Sequence, residues 1–131
     1  MSSAKEILQA IKDKNINLLD RLTSKSDFNF HDPANNGNTP LHEAVNSQSE
    51  VIVKMLLDKN LCNINALNNF NDTPLHLAAT LHNINIVKIL LAHGANINLK
   101  NNRDKSPQDL AIEAQNSEAT KLLLHKSCPL K

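Results

Sequence analysis

The sequence has no tryptophan and no tyrosine, and three phenylalanines make up 2% of it. A core without large rings has to be filled by aliphatic side chains and alanines, which suits small, closely packed helices and disfavours one large sheet core. Glycine occurs only twice, at Gly37 and Gly94, so neither a phosphate-cradling loop nor a dinucleotide fingerprint can be assembled. The two cysteines, Cys62 and Cys128, have no CxxC spacing and form no framework of four or six, and they read as reduced thiols of a cytoplasmic-type compartment. A surplus of one charge is missing too: 14 basic residues stand against 13 acidic ones. The charges alternate along the chain, and nothing resembles the basic stripe that nucleic-acid binding needs. No apolar run approaches the roughly 18 residues of a membrane span, and the first six residues lead into a mixed-polarity helix instead of a signal peptide. The expectation is a soluble, untargeted chain without membrane insertion.

What is present is a repeat. Thr39-Pro40-Leu41-His42-Glu43-Ala44 and Thr73-Pro74-Leu75-His76-Leu77-Ala78 lie 34 residues apart. Each is followed at a matched offset by an Ile/Val/Leu run, Val51 to Leu57 in one case and Ile84 to Leu91 in the other. A period of this size predicts a stacked array rather than an ordinary globular core. A degenerate copy starts 33 residues after Thr73, with Ser106-Pro107-Gln108-Asp109-Leu110-Ala111 and then Ala119 to Leu124. One period before Thr39, Ile7 to Ile11 and Leu18 to Leu22 repeat the helix-turn-helix spacing without the Thr-Pro opening. Terminal units of an array are expected to be atypical, because one side of each faces water.

The hexapeptides have a mechanical reading. Thr39 and Thr73 are placed to cap helices, and Pro40 and Pro74 fall at the first helical position, where a missing N–H costs nothing. Leu41, Ala44 and Val45, like Leu75, Ala78 and Ala79, share one helix face. Ile52, Val53, Leu56 and Leu57, with Ile86, Val87, Leu90 and Leu91, supply the second helix of each pair. Gly94 suits a left-handed helix ending, and the Asn-rich runs predict a turn or hairpin finger between units. Asn71 and Asp104 stand where Gly37 stands, a position that predicts positive φ.

These residues resemble ankyrin repeats, whose pattern joins a Thr-Pro-Leu-His-x-Ala helix start to an Ile-Val-x-x-Leu-Leu helix and a Gly-Ala-x-Ile-Asn ending. The resemblance covers nearly the whole chain. It implies an all-α solenoid forming one domain over residues 1–131, with units at about 4–33, 34–67, 68–100 and 101–126 and a tail at 127–131. Asn63-Ile64-Asn65 and Asn96-Ile97-Asn98 match the ending, with Leu61-Cys62 in place of Gly-Ala and one residue added. Gln108 and Asp109 replace the Leu-His pair, as in a capping unit with weaker bonding to a neighbour. In the family the hexapeptide histidine bonds its own Thr and a neighbouring backbone carbonyl, which is the role expected of His42 and His76.

The same resemblance implies a concave binding face made of finger tips and first helices. On the fingers it places Asn36 and Asn38, then Asn69, Phe70 and Asp72, then Asn102, Arg103 and Lys105. On the first helices it places Asn46, Ser47, Thr80, Leu81 and Glu113. Phe70 and Leu81 are expected to form the apolar centre, with Arg103, Lys105 and Asp72 as a polar rim, unless Phe70 folds onto its neighbouring finger. Glu43, where Leu77 and Leu110 stand in other units, either selects a basic group or lies on a solvated face.

Other chemistry finds little support in the residues. His31, His82, His93 and His125 are scattered with no HxxxH pair and no Cys partner, so no metal site and no cofactor are expected. No nucleophile, base and orienting group are spaced for catalysis. The expected function is a non-enzymatic module, monomeric on its own, that holds a partner protein in the cytoplasm or nucleus. The alternatives are a small ankyrin-type inhibitor, for example of a kinase, an adaptor or effector acting in a host cytosol, or, remotely, a metal-binding or catalytic protein.

Overall fold

The computed structural model describes residues 3–23, 30–32 and 36–127. Among them are eight helices, α1 (Ser3–Lys12), α2 (Ile16–Leu22), α3 (Pro40–Asn46), α4 (Glu50–Asp58), α5 (Pro74–Thr80), α6 (Ile84–Ala92), α7 (Pro107–Glu113) and α8 (Ser117–Ser127). They fall into four consecutive pairs, and the described residues contain no strand, only an isolated antiparallel bridge between Asp32 and Asn38.

Local chemistry sets the helix starts. Thr39, Thr73 and Ser106 are extended caps whose hydroxyls accept from the amides of His42, His76 and Asp109, and each is followed by proline at the first helical position. Asn15, Ser49 and Asn116 cap α2, α4 and α8 with bonds of 3.1, 3.4 and 3.3 Å. Beyond five of the helices one residue takes positive φ: Lys14, Gln48, Asn60, Gly94 and Gln115. Asn60, with φ 57°, stands where Gly94 stands, since the amides of Asn60 and Leu61 turn back to Leu57 and Leu56 as those of Gly94 and Ala95 turn back to Leu91 and Leu90. Leu61-Cys62 therefore does not replace the glycine; Asn60 does, because asparagine tolerates the left-handed region.

The first helices α1, α3, α5 and α7 pack in one row, and α4, α6 and α8 in a second, less closely packed row behind it. The front row is thus the tighter seam of the stack. Its core is aliphatic: Leu41, Ile52, Leu56, Leu75, Ile86 and Leu90 are all fully or almost fully buried, and Ala44, Ala78 and Ala79 allow the helices to approach. Burying one such large side chain is worth roughly 1.5–3 kcal/mol, against about 0–1 for a surface ion pair. Apolar packing between units therefore holds the stack, and the polar bonds fix its register.

Candidate functional site

The fingers are joined to one another edge to edge. The Asn69 amide donates to the Asn36 carbonyl at 2.8 Å, and one unit on the Asn102 amide donates to the Phe70 carbonyl at 2.9 Å. Each turn is organised from inside by an asparagine. Asn68 Oδ1 accepts from the amides of Phe70 and Asp72, while its Nδ2 donates to Asn38 Oδ1 at 2.9 Å. Asn101 repeats the arrangement, accepting from Arg103 and Lys105 and donating to Asp72 Oδ1 at 2.8 Å. The predicted positive φ is present at Gly37, Asn71 and Asp104, at 70°, 61° and 62°. At Gly37 a side chain would also run into the amide of Asn69.

The histidines set the joint between finger and helix. His42 Nδ1 accepts from the Thr39 amide and hydroxyl at 3.1 and 2.8 Å, and its Nε2–H donates to the Asp72 carbonyl at 2.8 Å. His76 does the same with Thr73 and the Lys105 carbonyl at 2.9 Å. A ring nitrogen that accepts from a backbone N–H carries no proton, so this network assigns the Nε2–H tautomer. Burial drives the His42 pKa down from 6.5 to about 4, outweighing the Asp72 carbonyl that pulls it up. Asp109 closes its own cap, accepting from the Ser106 amide at 3.0 Å, a bond that holds its carboxyl below the usual range.

On the side of the fingers and first helices lies a groove of about 310 Å³ between the last two fingers and helices α5 and α7. Phe70, Asp72, Thr80, Asn102 and Arg103, five of the residues predicted to touch a partner, line it together with Leu77 and Leu110. Phe70 is 51% exposed at the finger tip. Glu113 faces two cations, Lys105 at 2.9 Å and Arg103 at 3.4 Å, and the Lys105 hydrogen bond first, then both charges, hold its pKa down. Asn36, Asn46 and Asn69 are exposed, whereas Ser47 is half-buried at the end of α3 with its hydroxyl on the Ala44 carbonyl.

Three expectations need correction. Asn38 is 3% exposed; its side chain is covered by the amide of Asn68 and belongs to the joint, not to the surface. Leu81 packs against the core and its carbonyl accepts from Asn116 at 2.7 Å, so it does not join Phe70 in the groove. Glu43 lies on no solvated face, being 6% exposed. Sequence reasoning overlooked Asn68, Asn101 and Asn116; the recurrence of Asn one residue before the finger, at the same offset in two units, was the available signal.

Elsewhere, His31 Nδ1 lies 3.0 Å from the Gly37 carbonyl and His82 is exposed. His93 is exposed, and its ring bridges the Ile89 carbonyl and Asp58 Oδ1, each at 2.9 Å, bonds that raise its pKa. The side chain of His125 and all of Cys128 lie outside the described residues. Among the described residues no three His, Cys, Asp or Glu side chains converge as metal ligands. Burial pushes the Cys62 thiol up to about 12, which leaves it no reactive thiolate near neutral pH. No described helix is long and apolar enough to cross a membrane.

The family description "ankyrin repeats (3 copies)" matches residues 7–101, and the chain belongs to that family. No curated protein matches it significantly. Ankyrin repeats are generally protein–protein interaction modules, and the family is typically non-catalytic.

Proposed function

We propose that this chain is a non-catalytic module that holds a partner protein against its finger side, on the finger tips and the exposed parts of α3, α5 and α7. The observation that carries the reading is Phe70: a half-exposed aromatic ring at a finger tip, above a groove floored by Leu77 and Leu110, is the composition of an interface anchor. A polar rim surrounds it, formed by Asn102, Arg103, Lys105 and Glu113. The unit boundaries at about 4–33, 34–67, 68–100 and 101–126, a monomeric free state and a cytoplasmic or nuclear setting belong to the same proposal. The near balance of charge favours a protein over a nucleic acid. A specific, stable complex would bury about 1,200–2,000 Å² in total.

The test is site-directed photo-crosslinking in source lysate, with a benzophenone side chain placed in turn at Phe70 and at Lys88, an exposed residue of α6. The reading predicts a discrete protein adduct from position 70 and none from position 88. Adducts from position 88 alone would move the binding surface to the back row.

A further inference from the structure

The groove under Phe70 is chemically lopsided, and the asymmetry describes what fits it. Equivalent positions change along the finger side: the finger tips run Asn36, Phe70, Arg103, and the first-helix row runs Glu43, Leu77, Leu110. The exposed aromatic ring therefore lies on the third finger and the exposed guanidinium on the fourth, with Leu77 and Leu110 lining the groove between them. The cations are unequally engaged. Lys105 holds Glu113 at 2.9 Å, while Arg103 reaches the same carboxylate only at 3.4 Å through one nitrogen and stays 63% exposed. One carboxylate faces two cations, which leaves a positive charge over on the fourth-unit wall of the groove. A guanidinium offers five donors in a planar fork suited to a carboxylate. At the opposite wall, Asp72 carries the other sign, tied to Asn101 at 2.8 Å.

We propose that the groove recognises an extended segment of a partner protein in which an apolar side chain enters between Phe70, Leu77 and Leu110 and a neighbouring Asp or Glu pairs with Arg103. The carboxylate lies on the fourth-unit side, because Asp72 repels it from the other wall. Glu113 and Asp72 set the selectivity: Glu113 neutralises Lys105 and Asp72 opposes further negative charge, so a single carboxylate and not a run of acidic residues matches the charge left on the fourth-unit wall. This inference rests on the reading of the finger side as the protein-binding surface.

Panning random peptides displayed on phage against the whole chain tests it, followed by fluorescence anisotropy of the recovered peptides on the wild type and on Phe70→Ala and Arg103→Glu variants, with circular dichroism confirming their helicity. Enrichment of an aliphatic or aromatic residue next to Asp or Glu is expected. Affinity should drop about tenfold or more in each variant, and a peptide with Lys in place of the acidic residue should regain binding to Arg103→Glu. Peptides enriched in Lys or Arg, or unaffected by Arg103→Glu but weakened by Phe70→Ala, would overturn this inference and leave the choice of face standing. Peptides indifferent to both variants would overturn the choice of face as well, and the absence of any enriched sequence would overturn the recognition of a short segment.

Discussion

His42 and Asp109 occupy the same helix position two units apart, and both close the cap of their own helix, at 3.1 Å from the Thr39 amide and 3.0 Å from the Ser106 amide. Only the histidine also reaches forward, with its second nitrogen on the Asp72 carbonyl of the next finger. Capping needs one acceptor on a short stem, which a carboxylate supplies. Tying units together needs a second polar atom on the far edge of a rigid ring, which imidazole supplies and aspartate does not. Residue type at this position thus separates a joint from an end.

The sharpest way to break that comparison is to delete both side chains. His42→Ala or His76→Ala leaves a buried amide and a carbonyl unpaired and should cost about 2–4 kcal/mol in urea unfolding. Asp109→Ala loses a cap alone, about 1 kcal/mol. Equal losses would mean that the forward bond contributes nothing.

The pH dependence of stability sharpens the same contrast. The folded His42 pKa of about 4 lies below the ordinary 6.5, so between those values the unfolded chain takes up a proton that the folded chain refuses. Its contribution is complete above pH 6.5 and is lost as pH falls towards 4, a change of about 3 kcal/mol. Urea midpoints measured across that window should drop in the wild type and flatten in His42→Ala. His93, with its raised pKa, acts the other way: its pairing stabilises below pH 6.5 and is lost as pH rises through its folded value, a small effect at an exposed site.

Smaller effects belong to the fingers. Asn68→Ala or Asn101→Ala removes two turn-closing bonds and one bond to the preceding finger, worth about 1–2 kcal/mol in all. Phe70→Ala should move the melting free energy by less than about 0.5 kcal/mol while weakening partner binding. A large loss of stability with affinity retained would make Phe70 a packing residue.

Most of the fold was legible because its signals are local. Thr-Pro starts a helix through its own cap and ring, and the Ile/Val/Leu runs bury the faces that their spacing dictates. What escaped depends on residues about 30 positions away. Asn38 looks like a finger-tip residue until Asn68 of the next unit covers it, and Leu81 looks like an exposed helix end until its side chain packs partly against the core and Asn116 takes its carbonyl. Asn60 escaped for another reason: the pattern asks for glycine, whereas the backbone asks only for positive φ. The groove itself was half legible, since five of its lining residues are ones that the family resemblance implies, but the sharing of Glu113 between Lys105 and Arg103 depends on where side chains point across a turn.

The central claim is that stacked fingers and first helices form one continuous platform for a protein. Its most direct test is a titration of the isotopically labelled chain with the partner captured at position 70, followed residue by residue through amide NMR shifts. The account predicts changes concentrated at residues 69–72, 77–80, 102–105 and 113, with α4 and α6 unmoved. Changes centred on α4 and α6, with the fingers silent, would contradict it.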